Sequence, residues 1–374
     1  VHEPKELIEE IRCGRMVILV DDEDRENEGD FVTPQSINFM AKEARGLICL
    51  ALAPDHIRQL GLPQMVGEND NFSPNKTAFT VSIEASKGVS TGISAADRAH
   101  TIRVAANPSA RPEDIIMPGH IFPIRAQSGG VLKRAGHTEA SVDLARLAGL
   151  NSAAVICEIM KDDGTMARYP DLKEFAKKFD LKIGTIESLI RYRLETETLV
   201  EKVAEAAFPH AFSDDFKIKV FRNQLDGSEN IVIQKGEIDP GKPTLVRVQV
   251  EDVFEDVFHG GEGHEGSRVV STLNHLAKVE SGVLIYLRKE GKHSLSSNRV
   301  NNLSGQSGKK GMDKKEYGIG AQILRALGVQ RVKLLANTVP KVGGVRGFGL
   351  EIDEVVSYKK IGFQPDEALS PSLQ

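Results

Sequence analysis

The chain has 374 residues, enough for two or three domains whose cores need no disulfide or metal staple. Its net charge of -5 and pI near 6.1 argue against a strongly basic binder of nucleic acid or anionic membrane. Its three cysteines, Cys13, Cys49 and Cys157, all fall in the first half, which excludes a disulfide framework, fits a reducing compartment and leaves no thiolate metal site in the second half. In chain order, Pro4 to Ile11 is a charged amphipathic helix, unlike the apolar core of a signal peptide. No run of about 18 apolar residues follows anywhere. A soluble cytoplasmic protein, with neither nucleic acid nor membrane as partner, is expected.

Met16 to Val20 reads as a buried strand, Ser36 can cap a helix through Arg45, and Leu47 to Leu52 reads as the next strand. Thr77 to Ile83 alternates like a strand. Ser94-Ala95-Ala96-Asp97 opens a helix toward Ala106. His120 to Ala126 is strand-like, Thr138 to Leu147 helical, and Ser152 to Met160 a strand ended by Asp162-Asp163-Gly164. Glu187 to Ala207 carries helix-forming charged residues and meets Pro209; residues 195–212 read as a domain end and linker. Strands then follow at Phe216–Arg222, Ile231–Lys235, Leu245–Val250, Val283–Arg288 and Val332–Ala336, with helices at Ser267–Val279 and Tyr317–Leu327. The fold class is mixed α/β or α+β, a mixed-sheet domain over residues 1–204 followed by a second α/β domain over residues 212–374.

Three stretches carry chemistry. Seven of the ten residues from Asp21 to Asp30 are acidic, directly after an apolar strand. An acidic run is often a solvated turn. Here Arg25 and Asn27 interrupt it, and it leaves the C-terminal end of a strand, where α/β proteins place sites. Crowded carboxylates repel unless a proton or cation joins them, and oxygen ligands favour a hard ion such as Mg2+. In Gly129 to Ala140, a glycine-rich loop delivers Arg134, His137 and Thr138 to a helix start, where free N–H groups favour anions. His137 there is a structural residue, a metal ligand or a proton shuttle. The Gly88 to Thr101 stretch is either capping chemistry or part of a phosphate cradle.

Taken together, Asp22-Glu23-Asp24-Arg25-Glu26-Asn27-Glu28-Gly29-Asp30, Ser90-Thr91-Gly92-Ile93-Ser94, Gly119-His120-Ile121-Phe122-Pro123, Arg134-Ala135-Gly136-His137-Thr138-Glu139-Ala140 and Cys157-Glu158 resemble the 3,4-dihydroxy-2-butanone 4-phosphate synthases of riboflavin biosynthesis, over residues 4 to 200. The resemblance implies a lyase that converts ribulose 5-phosphate to 3,4-dihydroxy-2-butanone 4-phosphate and formate. It also implies Mg2+ or Mn2+, two ions per site, and a homodimer with sites at the subunit interface. By motif, Glu26 and His137 would bind metal. Arg25, Glu26, Asp30, Thr91, Arg134, Ala135, Gly136, His137, Thr138 and Glu158 would hold the sugar phosphate, and His120, Glu158, Glu26 and Asp30 would serve catalysis. Cys49 lies in a further family signature and is as well suited to packing.

Residues 212 to 358 resemble GTP cyclohydrolase II through Leu284–Gly291, Tyr317–Leu324 and Leu334–Asn337. That family holds zinc by three cysteines, and here the segment Glu251 to Gly266 contains none. Asp252, Gly263 and Glu265 fall near the expected ligand positions. Asp252, His259, Glu262, His264 and Glu265 are either a metal set or, more simply, a glycine-rich solvent loop. Lys315 stands where a catalytic arginine is expected. The expectation from these departures is a folded second domain without zinc and without GTP cyclohydrolase II activity, serving as a binding or regulatory module. A bifunctional enzyme is the alternative.

Overall fold

The computed structural model describes residues 1–21, 27–29, 32–67, 70–258, 268–288, 314–336 and 349–357. The chain divides into two compact units, Val1–Arg193 and Leu194–Gln374.

In the first unit, α1 (Pro4–Arg12) starts on a proline at a position whose N–H has no helical partner, and it buries Leu7, Ile8 and Ile11. β1 (Val17–Val20) is buried throughout. β2 (Asn27–Gly29) pairs with it antiparallel. α2 (Pro34–Phe39) is capped by Thr33, not by the expected Ser36. Pro34 takes the first helical position, so the cap must precede it. Ser36 N–H donates to Thr33 Oγ1 at 3.1 Å, and Ser36 Oγ accepts from Thr33 N–H at 2.9 Å. A π turn over Met40–Ala44 follows, ended by Arg45 in the left-handed region. β3 (Cys49–Leu52), α3 (Pro54–Gln59), β4 (Ile83–Ala85), α4 (Ala95–Ala105), β5 (Ile115–Arg125), α5 (His137–Leu147), β6 (Ala153–Cys157), α6 (Tyr169–Phe179), β7 (Lys182–Thr185) and α7 (Ile186–Thr196) complete the series.

Most of the expected strand at 77–83 is reduced to the isolated bridges Gln64↔Thr80 and Phe79↔Ile124. Thr80 N–H donates to Pro123 O, and the proline has no N–H to return, so no regular ladder extends there. The seven strands form one mixed sheet in the order β4-β5-β3-β6-β2-β1-β7. One face buries Leu50, Leu52, Ile121, Val155 and Cys157 against α2, α4 and α6. The other carries Val17 and Leu19 under α1, α5 and α7, and Cys49, Ile124 and Ile156 under Val142 of α5.

The second unit contains β8 (Val200–Ala207), β9 (Phe216–Asn223), β10 (Glu229–Lys235), β11 (Thr244–Val250), α8 (Val253–Asp256), α9 (Arg268–Leu276), β12 (Gly282–Leu287), α10 (Lys314–Ala326), β13 (Arg331–Leu335) and β14 (Glu351–Val356). Its sheet runs β14-β13-β11-β12-β10-β9-β8. Leu273 and Leu276 of α9 pack on Phe216, Ile233, Leu245 and Leu284. The segment read as a helical domain end and linker is corrected here. The helix stops at Thr196, and β8 pairs with β9 along its length, so the second unit begins at Leu194 instead of 212. Pairing outweighs the helix preference of a Glu-, Lys- and Ala-rich segment. The architecture is mixed α+β in both units. Among the described residues no helix is long and apolar enough to cross a membrane.

Candidate active site

Strand register gathers the site of the first unit at one end of its sheet. Cys49 of β3 pairs with Phe122 of β5 on one side and Ile156 of β6 on the other, and Asn27 of β2 pairs with Cys157. His120 lies two residues before Phe122, Glu158 two residues after Ile156, and β1 ends at Val20 and β2 begins at Asn27 at the same end. Cys157 faces the α2, α4 and α6 core, so Glu158, its neighbour in extended chain, belongs to the opposite face, which α5 covers; His120, beside a register shift between β4 and β5, meets Glu84, which Thr101 of α4 holds. A short connection leads α5 back to the start of β6. The helix therefore runs against β6, and its first residue, His137, lies toward the Glu158 end.

The most developed contact is one the sequence reading missed. His120 Nδ1 lies 2.7 Å from Glu84 Oε2. The imidazole is 43% exposed, whereas the carboxylate is 8% exposed. Thr101, fully buried on α4, donates its hydroxyl to Glu84 Oε1 at 2.8 Å and accepts Ala85 N–H at 3.1 Å. The Ser90-Thr91-Gly92 loop closes over this group. Asp97 fixes the loop by accepting from Ser90 Oγ at 2.7 Å, Ser90 N–H at 3.2 Å and Gly92 N–H at 3.1 Å. The Ser90 hydroxyl, then the backbone donors, hold the Asp97 carboxyl below its usual range. Gly92 has φ +85°, and a Cβ there would overlap Glu84 Oε2 and stand 2.5 Å from His120 Nδ1. Thr91 is exposed beside it. Ser94 caps α4 through Asp97 N–H at 3.0 Å, so the stretch whose role the sequence left open contains both a helix cap and a rigid loop at the site.

Glu158 Oε2 accepts Leu47 N–H at 2.8 Å, and Arg45 closes the turn by donating to Met160 O at 2.9 Å and Asp162 Oδ1 at 2.6 Å. Cys49 and Cys157 are buried among apolar neighbours, while Cys13 is exposed. The packing role weighed for Cys49 is the one its surroundings show.

Arg134 donates through Nη1 to Glu139 Oε2 at 2.6 Å and through Nη2 to Asn75 O at 3.0 Å. Glu139 is 1% exposed and accepts Gln127 N–H at 2.9 Å through its other oxygen. Beneath the loop, Asp143 accepts from Val131 N–H at 2.8 Å and Arg193 Nη1 at 2.7 Å, and Arg193 also donates to Gly129 O at 2.8 Å. Gly130, at φ +61°, leaves the space that the Asp143 carboxylate fills. Thr138 is buried, Ala135 exposed, Gly136 buried as the N-cap, and His137 half-buried. Glu84, Glu139, Asp143 and Arg193 escaped the sequence reading. The one available signal was a charged residue inside an otherwise apolar stretch, as at Ile83-Glu84-Ala85. Arg25, Glu26 and Asp30 lie outside the described residues, and with them the expected Glu26–His137 metal pair. Among the described residues no three His, Cys, Asp or Glu side chains converge as a metal site.

Residues 5–192 match the sequence model of 3,4-dihydroxy-2-butanone 4-phosphate synthase, and residues 201–357 that of GTP cyclohydrolase II. The riboflavin biosynthesis protein RibBA of Aquifex aeolicus (strain VF5) is 51% identical over 95% of this chain and 92% of its own. The chain belongs to the 3,4-dihydroxy-2-butanone 4-phosphate synthase family. Among solved structures, RibBX, a two domain 3,4-dihydroxy-2-butanone 4-phosphate synthase from A. baumannii, superposes with TM-score 0.77 at 39% identity, covering 95% of this chain and 99% of that one. A 3,4-dihydroxy-2-butanone 4-phosphate synthase in complex with two magnesium ions matches 52% of this chain and 98% of its own, at 38% identity and TM-score 0.50.

These matches correct one expectation. The second half of this synthase-family chain carries a GTP cyclohydrolase II domain over residues 201–357, and its relative of 51% identity is a RibBA protein. The expected lack of GTP cyclohydrolase II activity therefore does not stand. Missing thiolates change the ligand type available in one segment, whereas the domain match rests on the whole sheet-and-helix sequence. In that unit Asp252 N–H donates to Asp256 Oδ2 at 2.8 Å, and Tyr286 Oη donates to the same oxygen at 2.7 Å. Burial pushes the Asp256 carboxyl up, opposed by the Tyr286 hydroxyl. His259, Glu262, Gly263, His264 and Glu265 lie outside the described residues.

Proposed function

We propose that the first domain converts D-ribulose 5-phosphate to 3,4-dihydroxy-2-butanone 4-phosphate and formate, within riboflavin biosynthesis. The observation that supports this reading is the strand register that brings His120, held by Glu84, and Glu158, held by Leu47 N–H, to one end of the sheet. Arg134 binds the phosphate. Among the described residues two of its five N–H groups are engaged, by Glu139 and Asn75, which fix the guanidinium plane while other donors face phosphate oxygens in this reading. Arg25, Asp30, Thr91, Ala135, Gly136 and Thr138 complete the sugar-phosphate contacts.

The donor set suits Mg2+ or Mn2+. Carboxylate oxygen from Glu26 and one imidazole, with waters and substrate oxygens, match a hard cation, and His137 is half-buried at a helix start instead of sealed in the core. An ion held there would supply Lewis-acid stabilisation of negative charge developing next to the substrate carbonyl. His120 and Glu158 move protons during dehydration and formate loss. Exposed Leu47, Ile93, Ile116 and Met117 neighbour the site in the chain, an apolar rim suited to a homodimer that excludes water from it. Formate release from ribulose 5-phosphate and Mg2+ tests the assignment. Glu26→Gln should abolish it with the circular dichroism spectrum unchanged, and wild-type turnover by that variant would refute the role of Glu26.

A further inference from the structure

We infer that Glu84 is a positioning residue for His120, with Thr101 holding Glu84 in place; this rests on the synthase reading above. An ionised carboxylate only accepts hydrogen bonds. With Glu84 Oε2 at 2.7 Å, Nδ1 of His120 carries the hydrogen and Nε2 presents its lone pair on the exposed side of the ring. The Thr101 hydroxyl, itself fixed by Ala85 N–H, occupies the second carboxylate oxygen. The carboxylate is thereby held in one rotamer, and the imidazole in one tautomer and orientation.

The arrangement is a poor choice for stability alone. Burying a carboxylate costs several kcal/mol unless it is paired and hydrogen-bonded. Among the described residues the ion-pair partner of Glu84 is His120, with no lysine or arginine. A purely structural position would be better filled by an apolar side chain. Gly92 points the same way. The loop that carries Thr91 approaches Glu84 Oε2 and His120 Nδ1 so closely that only glycine fits, and Asp97 spends three hydrogen bonds holding that loop in place. Glu84 and the backbone at Gly92 thus both pack against the Nδ1 edge of the histidine. The carboxylate also faces the imidazolium that forms when Nε2 takes a substrate proton.

The test uses the full chain with 15N-labelled histidine, Glu84→Gln and Thr101→Val. In wild type, imidazole 15N shifts at a pH where His120 is neutral should show hydrogen at Nδ1. Glu84→Gln should populate the other tautomer and lower kcat for formate release about 10- to 100-fold, the range for partners that orient functional histidines, with KM within about 2-fold. Thr101→Val, which keeps the carboxylate and frees one oxygen, should show a smaller loss in the same direction and serves if Glu84→Gln fails to fold. An unchanged tautomer, or a rate loss that only tracks loss of folded protein, would overturn the inference. Absence of formate release in wild type would refute the synthase reading, and the tautomer measurement would still decide whether Glu84 sets the histidine.

Discussion

Replacing Asp143 by alanine should destabilise the first domain more than almost any other single change in it. Asp143 and Arg193 are each 5% exposed, and their contact is 2.7 Å. Removing the carboxylate takes from the buried Arg193 guanidinium the charge 2.7 Å away, and leaves Val131 N–H without this acceptor. Breaking a buried pair from one side costs about 3–5 kcal/mol. At roughly 2–4 °C per kcal/mol for a domain of this size, the melting temperature should fall by about 6–20 °C in calorimetry of the full chain. The double variant Asp143→Leu/Arg193→Met removes both charges. Its cost should shrink toward that of the orphaned amide, about 1–3 kcal/mol. Arg134 N–H donates to Gly130 O within the loop that Asp143 anchors, so the single variant should also raise KM for the sugar phosphate more than it lowers kcat. A shift below about 2 °C for Asp143→Ala, or a double variant as unstable as the sum of the singles, would show that the pair does not hold the loop.

Two further outcomes follow from particular contacts. Gly92→Ala should cost about 1–2 kcal/mol for its left-handed backbone, and should lower kcat disproportionately because the new methyl displaces Glu84 from His120; melting and formate assays on one preparation separate the two effects. Glu10, held by Arg15 and then Lys182, has its pKa lowered to about 2. A depressed carboxyl stabilises above its unfolded value near 4.3 and loses that contribution as pH falls toward about 2. With Arg15 more than half exposed, screening leaves about 1 kcal/mol, so Glu10→Gln should melt lower than wild type at pH 7 and converge with it near pH 2.

Much of the first domain could be read along the chain because its signals are local. Ser94 caps α4 where a hydroxyl three residues before Asp97 says it should, and the apolar runs at Val17–Val20 and Ala153–Cys157 are buried strands. Where a local signal met a competing tertiary contact, the contact won. Val200–Ala207 is drawn from its helical preference into a hairpin with β9, whereas Ser36 yields the cap to Thr33 for a local reason, because Pro34 must open the helix. In the second half, the missing cysteines pointed away from GTP chemistry, whereas the match of the whole domain to GTP cyclohydrolase II overturned that expectation.

Residue type and order alone determined the family, the acidic motif and the Arg134–Thr138 helix start, because these lie within short stretches. The partners that make the site rigid came only from the folded chain. Glu84 meets His120 across 36 residues, Asp143 meets Arg193 across 50, and Leu47 meets Glu158 across 111. A glutamate in an alternating strand reads as solvent-facing in sequence. Only the sheet order, which sets β4 beside β5 and packs α4 against them, turns Glu84 inward onto a histidine.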